Sequence, residues 1–419
     1  MSHFGVLSYK GAGHLNPLIA LARELVARGH RVTFFQTAEL EEHVRLHGLE
    51  FCSITSSAAR PATSSRLAYR WKFMQEIVAL RDGIDRIVFD MELFLRQVPP
   101  AMAGRGIDAI IMDEIALAGP TVAEILRLPY VVISTSVPHN FGWDGPRSIA
   151  SRETLIERVQ RECHQVSVLR MRGPVRRRLD ALRRTVGLGP IGQVKRKFPE
   201  LAHITQLPQC LDLPRTTLPY NFHYAGPLVD EATRPAMDFP WGRLDGRTMV
   251  YATFGTSRRS DLALFHLIAE ACNELCLQLV ISLGGRRGPE SLHGLPGDAI
   301  VVKALPQLEI LKRADIVISH GGLNTALETL REGKPTIVIP RAFDQPAVAA
   351  RLERCGVALA LPAKDLSAGA IRTALHTLLG QPGYRDAAMR MKAAVCASDG
   401  LAHAADVIEL SLRRQGTRS

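Results

Sequence analysis

What most constrains this chain is an alternation of short apolar runs and helical periodicity that proceeds, breaks off, and starts again. Apolar runs at 3–8, 31–36, 108–112 and 130–134 read as strands. Between them, helical spacing covers 15–28 with a stop at Gly29, 39–47, about 64–97 with a stop at Pro99-Pro100, and a stretch reaching Leu126. Strands separated by helices form a parallel sheet covered on both faces. Residues 226–247 then carry Pro227, Pro235 and Pro240 among turn formers, a linker composition. Beyond it, strands at 249–254, 278–283, 299–302, 316–319 and 336–340 alternate with helices at 261–275, 307–313, 324–332 and 345–355. The predicted class is α/β, with two Rossmann-like doubly wound parallel-sheet domains facing each other across a cleft. The first spans 1–225 and the second 248–400, and a last helix over 401–419 can return to the first domain. A chain of 419 residues supports two such cores. Ligands in these sheets sit at the carboxyl ends of the strands.

One such strand end is Ile318-Ser319-His320-Gly321-Gly322-Leu323-Asn324-Thr325. Gly321 and Gly322 let the backbone turn tightly, and the following helix start offers free amides and a positive dipole end to an anion. Asn324 and Thr325 add neutral donors, and His320 a charge-assisted one. Together they form a seat for a diphosphate. Glu328 lies one turn on, on the same face as Asn324 and Thr325, where a carboxylate can accept ribose hydroxyls; alone, it equally suits a solvated helix face. Asp344 and Gln345 follow the next strand, and a carboxylate beside an amide suits sugar hydroxyls. Asp344 as a plain N-cap is the alternative.

The first strand end is Lys10-Gly11-Ala12-Gly13-His14. His14 falls at a helix start facing the predicted cleft, where the dipole disfavours imidazolium and keeps the ring neutral as a proton acceptor. Asp113 ends another strand of the same sheet, so the two can meet as base and orienting carboxylate. A capping or packing histidine is the alternative for His14 taken by itself.

The block Pro306-Gln307, His320-Gly321-Gly322-Leu323-Asn324-Thr325, Glu328, Gly333-Lys334-Pro335, Pro340 and Asp344-Gln345 resembles the nucleotide-sugar signature of the UDP-glycosyltransferase superfamily, the GT-B enzymes of family one. The similarity covers both halves and is greatest to the bacterial macrolide and carotenoid (zeaxanthin) branch. It implies an inverting, metal-independent enzyme that needs no cofactor beyond its nucleotide-sugar donor. In that pattern His320, Asn324 and Thr325 hold the diphosphate, Glu328 the ribose, and Asp344 and Gln345 the transferred sugar. The turn carrying Thr256 and Ser257 closes over the phosphates, and His14 with Asp113 is the base. Many members stack an aromatic on the base three residues before the Gln of Pro306-Gln307; this chain has Ala304. Base recognition then falls to backbone near Leu305 and Gln307 or to another side chain, and uridine versus thymidine stays open.

The expected reaction is transfer of a hexose, glucose from UDP-glucose, to a hydroxyl of a small lipophilic acceptor of carotenoid, polyketide or terpenoid type. Trp71, Met74, His139 and Phe141 are the acceptor candidates, although aromatics on a helix equally serve as core. An epimerase or hydrolase of the same fold and a non-catalytic nucleotide-sugar-binding protein are the alternatives. The net charge of +11 is concentrated between Arg152 and Lys197. A solvated helical face explains it, with weak peripheral attraction of Arg170–Arg184 to an anionic membrane or an acidic acceptor as the alternative. No nucleic-acid module accompanies it. The start lacks signal-peptide features, and the seven cysteines form no C-x-x-C pair, so the expected location is the cytoplasm. Cys272 and Cys276, four apart on a predicted helix, read as two small core residues.

Overall fold

The computed structural model describes residues 1–55, 72–138, 173–191, 200–215, 218–234, 236–255, 262–285, 287–341, 343–362 and 366–416, with the side chains of 72–83 and 416 excepted. The first domain is built on β1 (His3–Leu7), β2 (Arg31–Gln36), β3 (Glu50–Ser53), β4 (Ala109–Asp113), β5 (Tyr130–Ser134), β6 (Glu200–Thr205) and β7 (Phe222–Tyr224). Its helices are α1 (Ala12–Ala27), α2 (Glu41–Arg45), α3 (Lys72–Met102), α4 (Gly119–Leu126) and α5 (173–185). The second is built on β8 (Met249–Thr253), β9 (Gln278–Ser282), β10 (Ile300–Val302), β11 (Ile316–Ser319), β12 (Thr336–Val338) and β13 (Ala358–Ala360). Around them lie α6 (Leu262–Glu274), α7 (Gln307–Arg313), α8 (Leu323–Arg331), α9 (Gln345–Arg354), α10 (Ala368–Gly380), α11 (Pro382–Cys396) and α12 (Gly400–Gly416).

Both sheets are parallel throughout. Their orders are β3-β2-β1-β4-β5-β6-β7 and β10-β9-β8-β11-β12-β13. Each order reverses once, between β1 and β4 and between β8 and β11, and these switch points open a crevice at the strand carboxyl ends. β1, β4, β5 and β8 are buried at every position, as an apolar run covered on both faces must be.

Several local expectations need correction. The Pro99-Pro100 pair does not end α3, which runs on to Met102. The prolines lack donors but their carbonyls still accept, as Ala103 N–H donating to Pro99 O shows, and Val98 and Met102 anchor that turn in the core. Cys272 is buried, but Cys276 lies beyond the end of α6 at φ +53 and is exposed. β3, β6, β7 and β13 went unread, and so did α10 and α11.

The domains are tied together in three ways. Val137, Leu207 and Leu211 of the first pack with Leu323, Ala326 and Val348 of the second in one apolar cluster. Beside it, buried Asp212 accepts from Arg351 of α9 at 2.7 Å and 3.0 Å, from Arg215 at 2.6 Å and from the Tyr224 hydroxyl at 2.8 Å. Finally α12 crosses back: Ala404, Ala405, Val407 and Ile408 join the first core, and Asp406 and Glu409 pair with Arg28 and His30. Among the described residues no helix is long and apolar enough to cross a membrane.

The basic run also changes character. Arg176, Arg177, Arg178 and Arg184 are exposed, but Arg183 is fully buried. It donates to Glu124 at 2.7 Å, Thr121 at 2.8 Å and the Gly189 carbonyl at 2.6 Å, so it is a core ion pair and takes no part in a docking face. Arg170 lies outside the described residues.

Candidate active site

The two switch points face one another. After β1 the chain turns through Gly11 into α1, and His14 sits in that helix's first turn. Asp113 is the last residue of β4, the strand hydrogen-bonded to β1 across the switch. His14 Nδ1 lies 2.9 Å from Asp113 Oδ2, and Asp113 is 1% exposed. The hydroxyl of Thr135, just beyond β5, stands 2.7 Å from the same Nδ1 and donates to Asp113 at 3.0 Å. With Nδ1 so occupied, Nε2 is the nitrogen left for a reacting group.

The helix start was expected to lower the proton affinity of His14, and the structure gives the opposite direction. Burial does lower its proton affinity, but the hydrogen bond and charge of Asp113 outweigh it, with Asp344 and Glu114 adding to them, and the pKa is raised above its ordinary value. The carboxylate, rather than the helix dipole, sets this ring's chemistry.

On the other side, β11 ends at Ser319 and α8 begins at Leu323. Gly321 adopts φ +79, and a Cβ there would come within 2.6 Å of Val338, so only glycine makes this turn. His320 packs against Gly255 and Gly322, where added Cβ atoms would fall 2.9 Å and 2.7 Å from its ring. Burial lowers the His320 pKa, and Asp344 and a hydrogen bond to the Thr253 backbone offset this only in part. Its Nδ1 is buried with no hydrogen-bond partner among the described residues.

The other expected donor-site residues fall around this turn with uneven exposure to the cleft. Thr325 is half-buried in the first turn of α8. Asn324 Nδ2 donates to the Gly13 carbonyl at 2.6 Å, and its Oδ1 accepts from Gln206 at 2.9 Å. Gln206 in turn donates to the Thr135 carbonyl at 2.6 Å. Asn324 thus bridges the anion seat to the residue preceding His14. Asp344 sits at the N-cap position of α9 without capping it, and its Oδ2 accepts from Val137 N–H at 3.4 Å. Gln345 is buried beside it and accepts from Arg341 N–H. Glu328 is 2% exposed and each oxygen of its carboxylate accepts a hydrogen bond, one from Arg234 of the interdomain segment and the other from Gln307 Nε2. Gln307 is fixed in turn by the Tyr251 hydroxyl at 2.9 Å, and Leu305 is buried.

Between the domains lies a cleft of about 580 Å³, lined by Lys10 and Asn16 on one side and by Arg234, Leu305, Pro306 and Gln307 on the other. A smaller, mostly apolar cavity of about 30 Å³ lies among Ser8, Tyr9, Met91, Phe94 and Leu117. Thr256, Ser257, Trp71, His139 and Phe141 lie outside the described residues, as does the side chain of Met74. Thr135, Gln206 and Arg234 were missed. Each acts through partners distant in sequence, and no local pattern marks them.

Comparison with known proteins agrees with this layout. The model of the glycosyltransferase family 28 N-terminal domain matches residues 11–138. That of the erythromycin biosynthesis protein CIII-like C-terminal domain matches residues 266–408. A zeaxanthin glucosyltransferase of Pantoea ananas is 28% identical over 98% of this chain and 96% of its own. Another, of Pseudescherichia vulneris, is 30% identical over 84% of each chain. The solved glycosyltransferase of kitacinnamycin superposes with a TM-score of 0.73 at 24% identity, covering 98% of both chains. From the paired switch points, the two domain matches and this full-length similarity, the chain belongs to the UDP-glycosyltransferase superfamily of GT-B enzymes, in the branch of the zeaxanthin and macrolide glycosyltransferases.

Proposed function

We propose that this glycosyltransferase moves glucose from UDP-glucose onto a hydroxyl of a small lipophilic acceptor, with inversion and with His14 as general base. The observation that carries this is the 2.6 Å bond from Asn324 to the Gly13 carbonyl, which sets the anion seat against the turn that presents His14. His14 Nε2 takes the acceptor's hydroxyl proton while the acceptor oxygen attacks the anomeric carbon. The bond from that carbon to the diphosphate breaks, and its electron pair leaves on the phosphate oxygen. Asp113 stabilises the imidazolium that forms, consistent with its raising of the His14 pKa.

The leaving diphosphate is met by the free amides at the start of α8, by Thr325 and by the neutral His320 N–H. We assign no metal or further cofactor to this step, and chelation with EDTA should leave the rate unchanged. Asp344 and Gln345 bind the sugar hydroxyls. Asp344 is well placed for it, because its charge is felt by both His14 and His320. The acceptor enters over the apolar cavity beside β1 and β4, and Trp71, Met74, His139 and Phe141 remain its candidate contacts. An apolar lining suits a lipophilic alcohol, and two relatives are named for zeaxanthin.

The test is incubation with UDP- and TDP-sugars and a panel of lipophilic alcohols, read by mass. A glycosyl increment on the alcohol is the expected outcome. Free sugar or an epimerised donor, formed equally without acceptor, would replace the proposal with a hydrolase or epimerase.

A further inference from the structure

Asn324 and the His14 turn are joined a second time, by a longer route. Gln206 follows β6 in the first domain, where its backbone N–H donates to the Ser134 carbonyl at 3.2 Å, and the residue is fully buried. Its Nε2 carries two hydrogens, and both are used. One goes to the Thr135 carbonyl at 2.6 Å and the other to Asn324 Oδ1 at 2.9 Å. Asn324 Nδ2 then donates to the Gly13 carbonyl at 2.6 Å. The Thr135 hydroxyl stands 2.7 Å from His14 Nδ1. These contacts close a circuit that runs from Gly13 through Asn324, Gln206 and Thr135 to His14, the residue next to Gly13.

The chemistry of the circuit allows only one arrangement. Its two ends are backbone carbonyls, which only accept, so the Thr135 carbonyl demands the nitrogen of Gln206. That nitrogen demands the oxygen of Asn324, and the Asn324 nitrogen is thereby left for Gly13. The orientation of both amides is fixed, one in each domain. Gln206 Oε1, by contrast, is buried with no partner among the described residues. An enclosed carbonyl without a donor is costly, so stability alone is a poor reason for glutamine here. What the side chain supplies in return is a single nitrogen that reaches both centres.

We propose that Gln206 is a positioning residue for the transfer, tying the anion seat to the base centre so that His14 and the donor meet in one fixed register. Fully buried, it touches no substrate and acts through the Asn324 amide and the Thr135 segment. This rests on the reading proposed above, with His14 as base and the turn at 320–325 as the donor's seat.

The experiment compares wild type, Gln206→Met, Asn324→Ala and the double variant. Each is titrated with UDP by calorimetry and assayed with UDP-glucose and an alcohol that the panel above shows to be glycosylated. Methionine nearly fills the space of glutamine and donates nothing. Gln206→Met is expected to lower kcat about tenfold while both KM values and the Kd for UDP stay within about twofold of wild type. Because the two residues act in one circuit, the double variant should be about as slow as the slower single variant. Gln206→Asn retains an amide but is one methylene short of spanning both partners, so the same fall in kcat is expected where a polar group is kept. A rise in KM with kcat unchanged would overturn the inference. So would losses that multiply in the double variant, or wild-type kcat in Gln206→Asn. Wild type that binds no UDP and glycosylates no alcohol would sink the donor-seat reading and this inference together. Wild type that does both, beside Gln206→Met with undiminished kcat, would sink the inference alone.

Discussion

The two histidines at the two switch points make an instructive pair. His14 and His320 each stand beside a glycine turn after a central strand, one in the first turn of the helix that follows and the other just before it, and both are half-buried. Yet one pKa is raised and the other lowered. Burial acts alike on both. The difference is one carboxylate in hydrogen-bonding contact: Asp113 touches His14, while Asp344 reaches His320 only through its field. In the proposed function the first ring receives a proton and the second donates to an anion. The first centre is also internally satisfied at Nδ1, while the second has a ring nitrogen with no partner among the described residues.

The comparison breaks most sharply at His14. Replacing it with alanine should cost about 10²–10⁴-fold in turnover while donor affinity stays nearly constant, as measured by steady-state rates alongside calorimetry. Retention of most of the rate would return His14 to a packing role. Next comes the interface that holds the two centres together. Asp212→Ala leaves Arg351 buried without its partner and should destabilise the protein by about 3–5 kcal/mol in a denaturant titration. A change below about 1 kcal/mol would mean that water reaches the site and relieves the charge.

His320→Ala gives a smaller effect. A neutral hydrogen bond to phosphate is worth about 0.5–1.5 kcal/mol, so UDP binding should weaken about three- to tenfold. Because burial lowers the ring's pKa, that loss should change little between pH 6.5 and pH 8. A loss that grows toward acid pH would show that the ring binds as imidazolium. Smallest of all, neutralising Arg176, Arg177 and Arg178 should leave activity and anionic-vesicle sedimentation unchanged, since they form an exposed helical face. Salt-sensitive vesicle binding that disappears in the triple variant would establish a docking role.

How much of this was legible in the sequence depended on the range of the interaction. The central strands and the Gly321-Gly322 turn were readable because apolar runs and glycine junctions are local. β6 was not, because Glu200, His203 and Thr205 interrupt its apolar character; His203 is buried by pairing with Ser134 at 2.6 Å and Glu200 at 3.0 Å. β13 is three residues long and gives no period to detect. The pairing of His14 with Asp113 followed from strand ends converging at one edge. The sign of its pKa shift did not, since it depended on a 2.9 Å contact and not on the helix start. Arg183 and Arg234 look alike in sequence, as basic residues in polar stretches. Only the fold makes one a core ion pair and the other a wall of the cleft.

The central claim is that Asp113 makes His14 the base. A base must be neutral to accept the acceptor's proton, so kcat/KM should fall as pH drops through the raised pKa of His14 and level off above it. The most direct measurement is therefore kcat/KM across pH for wild type and Asp113→Asn with one donor and acceptor pair. The amide keeps the shape but not the charge, so the acid limb should move to lower pH while the plateau rate falls. An acid limb at the same pH in both enzymes would contradict the assignment of His14 and Asp113 as a coupled base.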